Sequence, residues 1–285
     1  KQFMLNNVQY FQGGQPMEKL DGVANTLYVP LYGRIYVSKK FPEYFYDEMA
    51  LKIEEKFTSG ISKGSFEYTN MAYGARYYNM DKMIIKFIEE YKICNIVLLG
   101  IGLETAYDRI TQKCGPGEVN YYGIDLPEVI EIRKNVFGKR KQEILIAGDM
   151  FEMKWKDQID TSIPTLLIVS GVFQYFFEDK IIEFIKNLKK EFPYGELIFD
   201  TARKKTGLKF ANWYIRRTGN LEALMHFYIE DSVDFSKKTD TILVEELIFF
   251  KDARELLRKK LKFITKLFMK IADYKRQALI IHLKW

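Results

Sequence analysis

From residue 94 onward the chain alternates short apolar runs with segments of helical periodicity, and few folds accept that rhythm. Residues 95–100 (NIVLLG), 119–124 (VNYYGI), 143–147 (EILIA), 165–169 (TLLIV) and 196–200 (ELIFD) read as strands. Residues 103–113, 127–138 and 179–191 read as the helices between them, with a weaker helical signal over 148–164. Runs this continuously apolar are buried on both faces, so the expectation is an α/β chain with a mostly parallel sheet, crossover helices covering both sides. Residues 241–250 and 278–283 supply two later strands, making seven.

Before residue 93 the periodicity is helical. Phe45, Met49, Ile53 and Phe57 recur at helix spacing in 42–57, and 81–91 reads as a helix N-capped by Asp81 with Met83, Ile84, Phe87 and Ile88 on one face. Pro30 interrupts a third candidate at 25–39. With no Gly/Ser-rich linker, residues 1–92 are expected to pack as a helical cap on a core of 93–285, in one integrated domain. The aromatic run Phe45, Tyr46, Tyr68, Tyr73, Tyr77 and Tyr78 either fills that cap's core or lines an acceptor pocket.

Composition excludes several chemistries. Two His (His226, His282) and two Cys (Cys94, Cys114) are too few for a zinc ribbon or an iron–sulfur cluster, so no metal is expected. The cysteines lack a CxxC spacing and read as free thiols of a reducing compartment. The most apolar stretch, 165–177, is too short to span a bilayer, and the first residues lack a signal-peptide pattern; the expected location is cytoplasmic. The surplus of six positive charges is local. Residues 251–276 hold ten Lys/Arg against three Asp/Glu and leave the rest near neutral. Leu257, Leu261, Ile264, Phe268 and Ile271 make that stretch a basic amphipathic helix, expected to dock on the sheet and able to touch an anionic surface without inserting stably. No nucleic-acid partner is indicated.

An open parallel sheet binds ligands beyond the carboxyl ends of its strands. The first strand ends in Gly100-Ile101-Gly102, where a ligand can approach the backbone. The second ends in Asp125, suited to two ribose hydroxyls. Asp149 and Met150 follow the third strand, where a carboxylate can accept from an adenine amino group, and Ser170-Gly171 follows the fourth. Thr105 in place of the third glycine of GxGxxG disfavours a dinucleotide, and no GxxxxGK[ST] offers a triphosphate site. S-adenosylmethionine is the best match among nucleoside cofactors.

NIVLLGIGLETAYDRI, YYGIDLPEVI, AGDMF and PTLLIVSGVFQYF together resemble the leucine carboxyl methyltransferase family of class I methyltransferases. The segment TLYVPLYGRIYVSKKFPEYFYDEMALKI is similar to that family's polyketide O-methyltransferase-like branch. The resemblance runs from about residue 25 to the C-terminus and implies a Rossmann-like fold with an N-terminal helical cap, S-adenosylmethionine as methyl donor (S-adenosylhomocysteine as product), and O-methylation of a small-molecule carboxylate or aromatic hydroxyl. It implies that Arg76 holds the cofactor's carboxylate, that Gly100 and Gly102 form the glycine turn, that Asp125 with Leu126 binds the ribose, and that Asp149 with Met150 forms the adenine site, with Ser170 and Gly171 lining the cleft. Leu98, Ala106 and Ser170 depart from the family pattern, Ser170 standing where a glutamate is usual. Ser170 and Ala106 motivate one alternative, a catalytically degenerate cofactor-binding or regulatory protein; an NAD(P)-dependent oxidoreductase is the other. Arg34, Tyr175, Arg203 and His226 are the candidate acceptor-site residues, Arg34 and Arg203 for an anionic group and Tyr175 facing the methyl.

Overall fold

The structure is a computed structural model that describes residues 23–54, 66–115, 117–138, 140, 143–203, 208, 212 and 224–285. Among these, β1 (Ile93–Leu99), β2 (Glu118–Asp125), β3 (Glu143–Ala147), β4 (Thr165–Val169), β5 (Gly195–Ala202), β6 (Ile242–Ile248) and β7 (Ala278–Lys284) form one sheet in the order β3-β2-β1-β4-β5-β7-β6. β1 to β5 pair in parallel, and β7 runs antiparallel between β5 and β6. The chain moves outward from β1 to β3 and then returns to the far side of β1 with β4. That reversal opens a crevice beyond the carboxyl ends of β1 and β4.

Period-two alternation divides the strands between two cores. Ile96 and Leu98 of β1, Leu166 and Ile168 of β4 and Ile198 of β5 face one side. There they meet Met71, Ala75, Ile84 and Phe87 of α3 (Glu67–Tyr91), together with Leu257 and Met269. Val97, Leu99, Leu167, Val169 and Phe199 face the other, against Ile181, Phe184, Ile185 and Leu188 of α6 (Glu178–Glu191) and Phe235 of α7 (Ser232–Thr239). The remaining helices are α1 (Val23–Lys40), α2 (Glu48–Ile53), α4 (Ala106–Cys114), α5 (Pro127–Phe137), α8 (Lys251–Leu256) and α9 (Phe263–Tyr274).

Five local expectations are corrected. α3 begins at Glu67 and runs 25 residues, so Asp81 is no N-cap. It is buried in mid-helix, and its carboxylate accepts from Arg109 Nε and Nη2, each at 2.9 Å. α1 continues through Pro30, because Tyr28, Leu31 and Ile35 bury its inner side and tertiary packing outweighs the lost hydrogen bond. The helix expected over 42–57 reduces to α2, capped by Asp47, whose carboxylate accepts from Ala50 N at 2.9 Å; Phe57 lies outside the described residues. The weak 148–164 segment forms two 3-10 turns, Met150–Glu152 and Lys154–Gln158, pinned by Trp155 Nε1 donating to the Met150 carbonyl. The basic helix over 251–276 breaks into α8 and α9, since Leu257 and Leu261 turn into the core between them.

Candidate active site

β1 runs into Gly100, whose N–H and that of Ile101 both donate to the Ile124 carbonyl, at 2.8 and 3.0 Å. Gly100 has φ 69°, and a Cβ there would lie 2.6 Å from Val172, so glycine is required twice over. Asp125 closes the turn from β2. Its Oδ2 accepts from Gly102 N at 2.7 Å and its Oδ1 from Leu126 N at 2.8 Å. Each oxygen keeps acceptor capacity for a vicinal diol. Burial pushes its carboxyl upward, opposed by those two amides. Leu126 is exposed beside it, an apolar surface at the rim. Asp149 Oδ1 accepts from Phe151 N at 2.8 Å, which fixes the carboxylate at the end of β3. Met150 departs from expectation: its side chain is buried in the α6-side core, and its carbonyl is taken by Trp155.

Three buried arginines hold the glycine turn. Arg133 of α5 donates from Nη1 to the Gly102 and Glu104 carbonyls at 3.0 and 2.5 Å, and pairs through Nη2 with Glu143 at 2.5 Å. Arg34 donates to Asp47 at 2.7 Å, to Thr105 Oγ1 at 2.5 Å and to the Leu103 carbonyl at 2.5 Å. Arg109 reaches Asp47 at 3.1 Å and Glu104 at 2.7 Å in addition to Asp81. Burial alone raises a carboxyl, but Arg34 and Arg109 hold Asp47, and Arg109 and Arg34 hold Glu104, below the ordinary range. Arg34 is therefore no acceptor-binding residue; 1% exposed, its guanidinium is consumed inside the protein. Asp47, Glu104, Arg109 and Arg133 were not anticipated. For Arg109 and Arg133 the available signal was charge at positions where helix periodicity calls for apolar residues; Asp47 and Glu104 precede their helices and carried no such signal.

A second cluster stands beyond β4. Arg76, midway along α3, donates from Nη1 to Asp200 Oδ2 at 3.1 Å, and Asp200 Oδ1 accepts from Gly171 N at 2.5 Å. Gly171 has φ 71°, and a Cβ there would collide with the Arg76 guanidinium. Arg76 also lies over the rings of Tyr73 and Tyr77, 5.3 and 5.4 Å from their centroids. Burial opposes its charge, and Asp200 restores it. Arg76 Nε and the buried Ser170 Oγ have no hydrogen-bond partner among the described residues. Tyr175 belongs to this corner: burial raises its phenol, and Gln174 and Arg76 pull the other way. Asp200 was also missed, although a strand-terminal acid is the same signal that picked out Asp125.

The other two expected acceptor residues do not join the corner's polar network. The N–H groups of His226 and Phe227 donate to the Gln174 carbonyl at 2.6 and 3.3 Å, which draws the segment against the turn carrying Tyr175. The His226 ring is exposed and stacks on Phe177 at 4.4 Å. Arg203 opens onto a separate cleft of about 390 Å³ shared with Glu230, Asp231 and Glu246, whose carboxylates disfavour an anionic ligand; it is corrected as an anion site.

The donors suit S-adenosylmethionine. A buried cation, a buried carboxylate and an unpartnered hydroxyl are the groups a zwitterionic amino-acid tail would need, and Asp125 is the group a ribose diol would need. A seven-stranded sheet with this topology, its glycine turn answered by a strand-terminal acid, is the class I methyltransferase fold. The sequence profile of the leucine carboxyl methyltransferase family matches residues 32–189, more than half of the chain, and the chain belongs to that family. It is a methyltransferase whose cofactor is S-adenosylmethionine. It is 24% identical, over 207 residues, to the tetracenomycin polyketide synthesis O-methyltransferase TcmP of Streptomyces glaucescens, covering 70% of this chain and 74% of that one. Among solved structures, a protein of Thermobifida fusca assigned as a methyltransferase shares the fold at TM-score 0.53 and 14% identity, over 88% of this chain and 93% of that one. A DUF574-family protein of Streptomyces avermitilis does so at TM-score 0.52 and 13% identity, over 89% and 96%. Both alternatives raised from the sequence, the oxidoreductase and the degenerate binding protein, are disfavoured by this membership.

Proposed function

We propose that the chain methylates an oxygen of a small molecule, with a carboxylate as the first expectation and an aromatic hydroxyl as the second. Bound S-adenosylmethionine supplies an electrophilic methyl group on a sulfonium, so the protein's task is chiefly to align donor and acceptor. In this reading Arg76 grips the cofactor's carboxylate, and Asp200 with Ser170 accepts from its ammonium. Gly100 and Gly102 admit it close to the backbone, Asp125 takes the ribose hydroxyls, Leu126 flanks the base and Asp149 accepts from the adenine amino group.

The observation that carries the acceptor class is that the corner's phenols offer no base. Burial raises the phenols of Tyr73 and Tyr175, so neither is a base near neutral pH. A carboxylate, ionised above a pKa of about 4, needs no base, whereas a phenol with a pKa of about 10 does. The second reading rests on His226, tied by its backbone to the turn that carries Tyr175. A screen of carboxylic acids and phenols with methyl-labelled cofactor tests both. For a carboxylate acceptor, turnover is flat from about pH 6 to 9 and His226→Ala leaves it unchanged. A rate that climbs with pH and collapses in His226→Ala selects the phenol, and label transferred to neither class sinks the proposal.

A further inference from the structure

α9 turns its apolar side outward. Thr265, Met269, Ala272 and Asp273 are its buried positions. Phe263, Ile264, Leu267, Phe268, Ile271 and Tyr274 occupy the other side, and all are exposed, Phe263 at 76% and Tyr274 at 87%. Their spacing puts them on one contiguous strip of the helix surface. An outward strip of this kind is a contact surface in waiting rather than scattered apolar exposure.

Charge selects the occupant. Arg258, Lys259, Lys262, Lys266, Lys270 and Lys275 lie on α9, in the turn leading into it and at its C-cap. The ion pairs formed by this stretch use other cations: Arg254 with Asp273, Lys260 with Glu43 and Arg276 with Glu246. Among the described residues no carboxylate pairs with those six, and the acid within α9, Asp273, is turned inward to Arg254 and to Phe250 N. A second copy docked across a two-fold axis would set these cations against their own equivalents, where like charges repel. An anionic bilayer accepts both components at once. The rings and branched side chains enter the headgroup boundary, and the lysine stems reach back to the phosphates.

We propose that α9 seats the protein on the surface of an anionic phospholipid membrane. The contact is peripheral, since no helix among the described residues is long and apolar enough to cross a bilayer. The seat also adjoins the crevice edge. Lys262 N donates to Glu67 Oε1 at 2.9 Å, and Phe268 lies 5.9 Å from Tyr68, both in the first turn of the helix that carries Arg76. α9 then leads into β7, whose Ala278 pairs with Ala202 at the carboxyl end of β5.

Co-sedimentation of the full chain with vesicles tests this. Vesicles of phosphatidylcholine with about 30% phosphatidylglycerol should bind it at least ~10-fold more strongly than phosphatidylcholine alone, and raising the salt should remove most of the difference. Phe263→Ser/Leu267→Ser and, separately, Lys259→Gln/Lys270→Gln should each weaken binding by roughly 10-fold, with S-adenosylhomocysteine affinity and Tm unchanged. The lysine pair alters only the outer surface, so it decides the matter even if the apolar pair disturbs folding. Equal binding to both vesicle types, or lysine-pair variants that bind like the parent, overturns the proposal. So does a lipid-free dimer that Phe263→Ser/Leu267→Ser dissociates, or retention on an acidic protein matrix without any on anionic vesicles.

Discussion

The two walls of the crevice are built from different forces. The wall of residues 100–105 is clamped by charge, with Arg34, Arg109 and Arg133 donating into its carbonyls and side chains and Asp47 shared between two of them. The facing wall, residues 170–177 with 224–229, relies on rings. Phe173 meets Phe199 and Phe227 at 5.2 and 6.1 Å, and the Gln174 carbonyl accepts from two amides. Charge-assisted bonds fix angle as well as distance, whereas aromatic packing accepts a range of geometries. In the proposed function the stiff wall meets the ribose and adenine of the cofactor, while the facing, adaptable wall meets its amino-acid end at Ser170 and, through the ring-packed residues beyond, the acceptor.

Perturbing each wall in turn breaks or sharpens that contrast. The largest effect is expected from Asp47→Ala, which strands Arg34 and Arg109 without their shared carboxylate. Loss of one partner from such a buried pair costs about 3–5 kcal/mol, read by denaturant unfolding. Asp47 and Glu104 are both held below the ordinary carboxylate range, so they contribute stability at pH values above about 4 that is lost as pH falls through their lowered folded values. Tm should therefore be level near neutrality and drop in acid, and Asp47→Ala should shrink that acid drop. A variant with an unchanged acid limb would remove the charge-clamp account.

Next comes Asp125→Ala at the lip of the stiff wall. Calorimetry should record S-adenosylhomocysteine binding weakened by at least ~10-fold, about 1.4 kcal/mol, with Tm little changed; an unaltered affinity would unseat the ribose assignment. The smallest effect should come from the adaptable wall. Phe173→Leu keeps an apolar side chain in a fully buried position and should cost on the order of 1 kcal/mol, yet shift KM for the acceptor more than KM for the cofactor. Equal shifts in both would show that the walls are not independent.

Strands and strand ends were legible from the sequence because they are short apolar runs, whether buried throughout as in β4 or partly exposed at the sheet edge as in β3. β3 and β4 match the runs at 143–147 and 165–169 residue for residue, and Gly100, Asp125 and Gly171 stand where the pattern puts them. The helices were harder, for a physical reason. Periodicity equates inward with apolar, but α3 buries Asn70, Arg76, Asn79 and Asp81 on its inner side, so its true start was not marked and its middle looked like one. The stripe at Leu257, Leu261, Ile264, Phe268 and Ile271 failed in the opposite sense. Its apolar residues are real, but only the first two face inward. Asp200 carries the same strand-end signal as Asp125, but no glycine turn beside it in the sequence draws attention to it, and its partner Arg76 lies 124 positions away.

α3 has one more consequence. It is a single rod of 25 residues containing no proline, and Gly74 sits so close to Val37 of α1 that an added Cβ would lie 2.7 Å from that side chain. At about 1.5 Å per residue, Arg76 lies roughly 14 Å along the rod from Glu67. With no proline to kink it and Gly74 seated against Val37, α3 is mated to α1 close to Arg76, so a displacement of α3 there is passed on to α1.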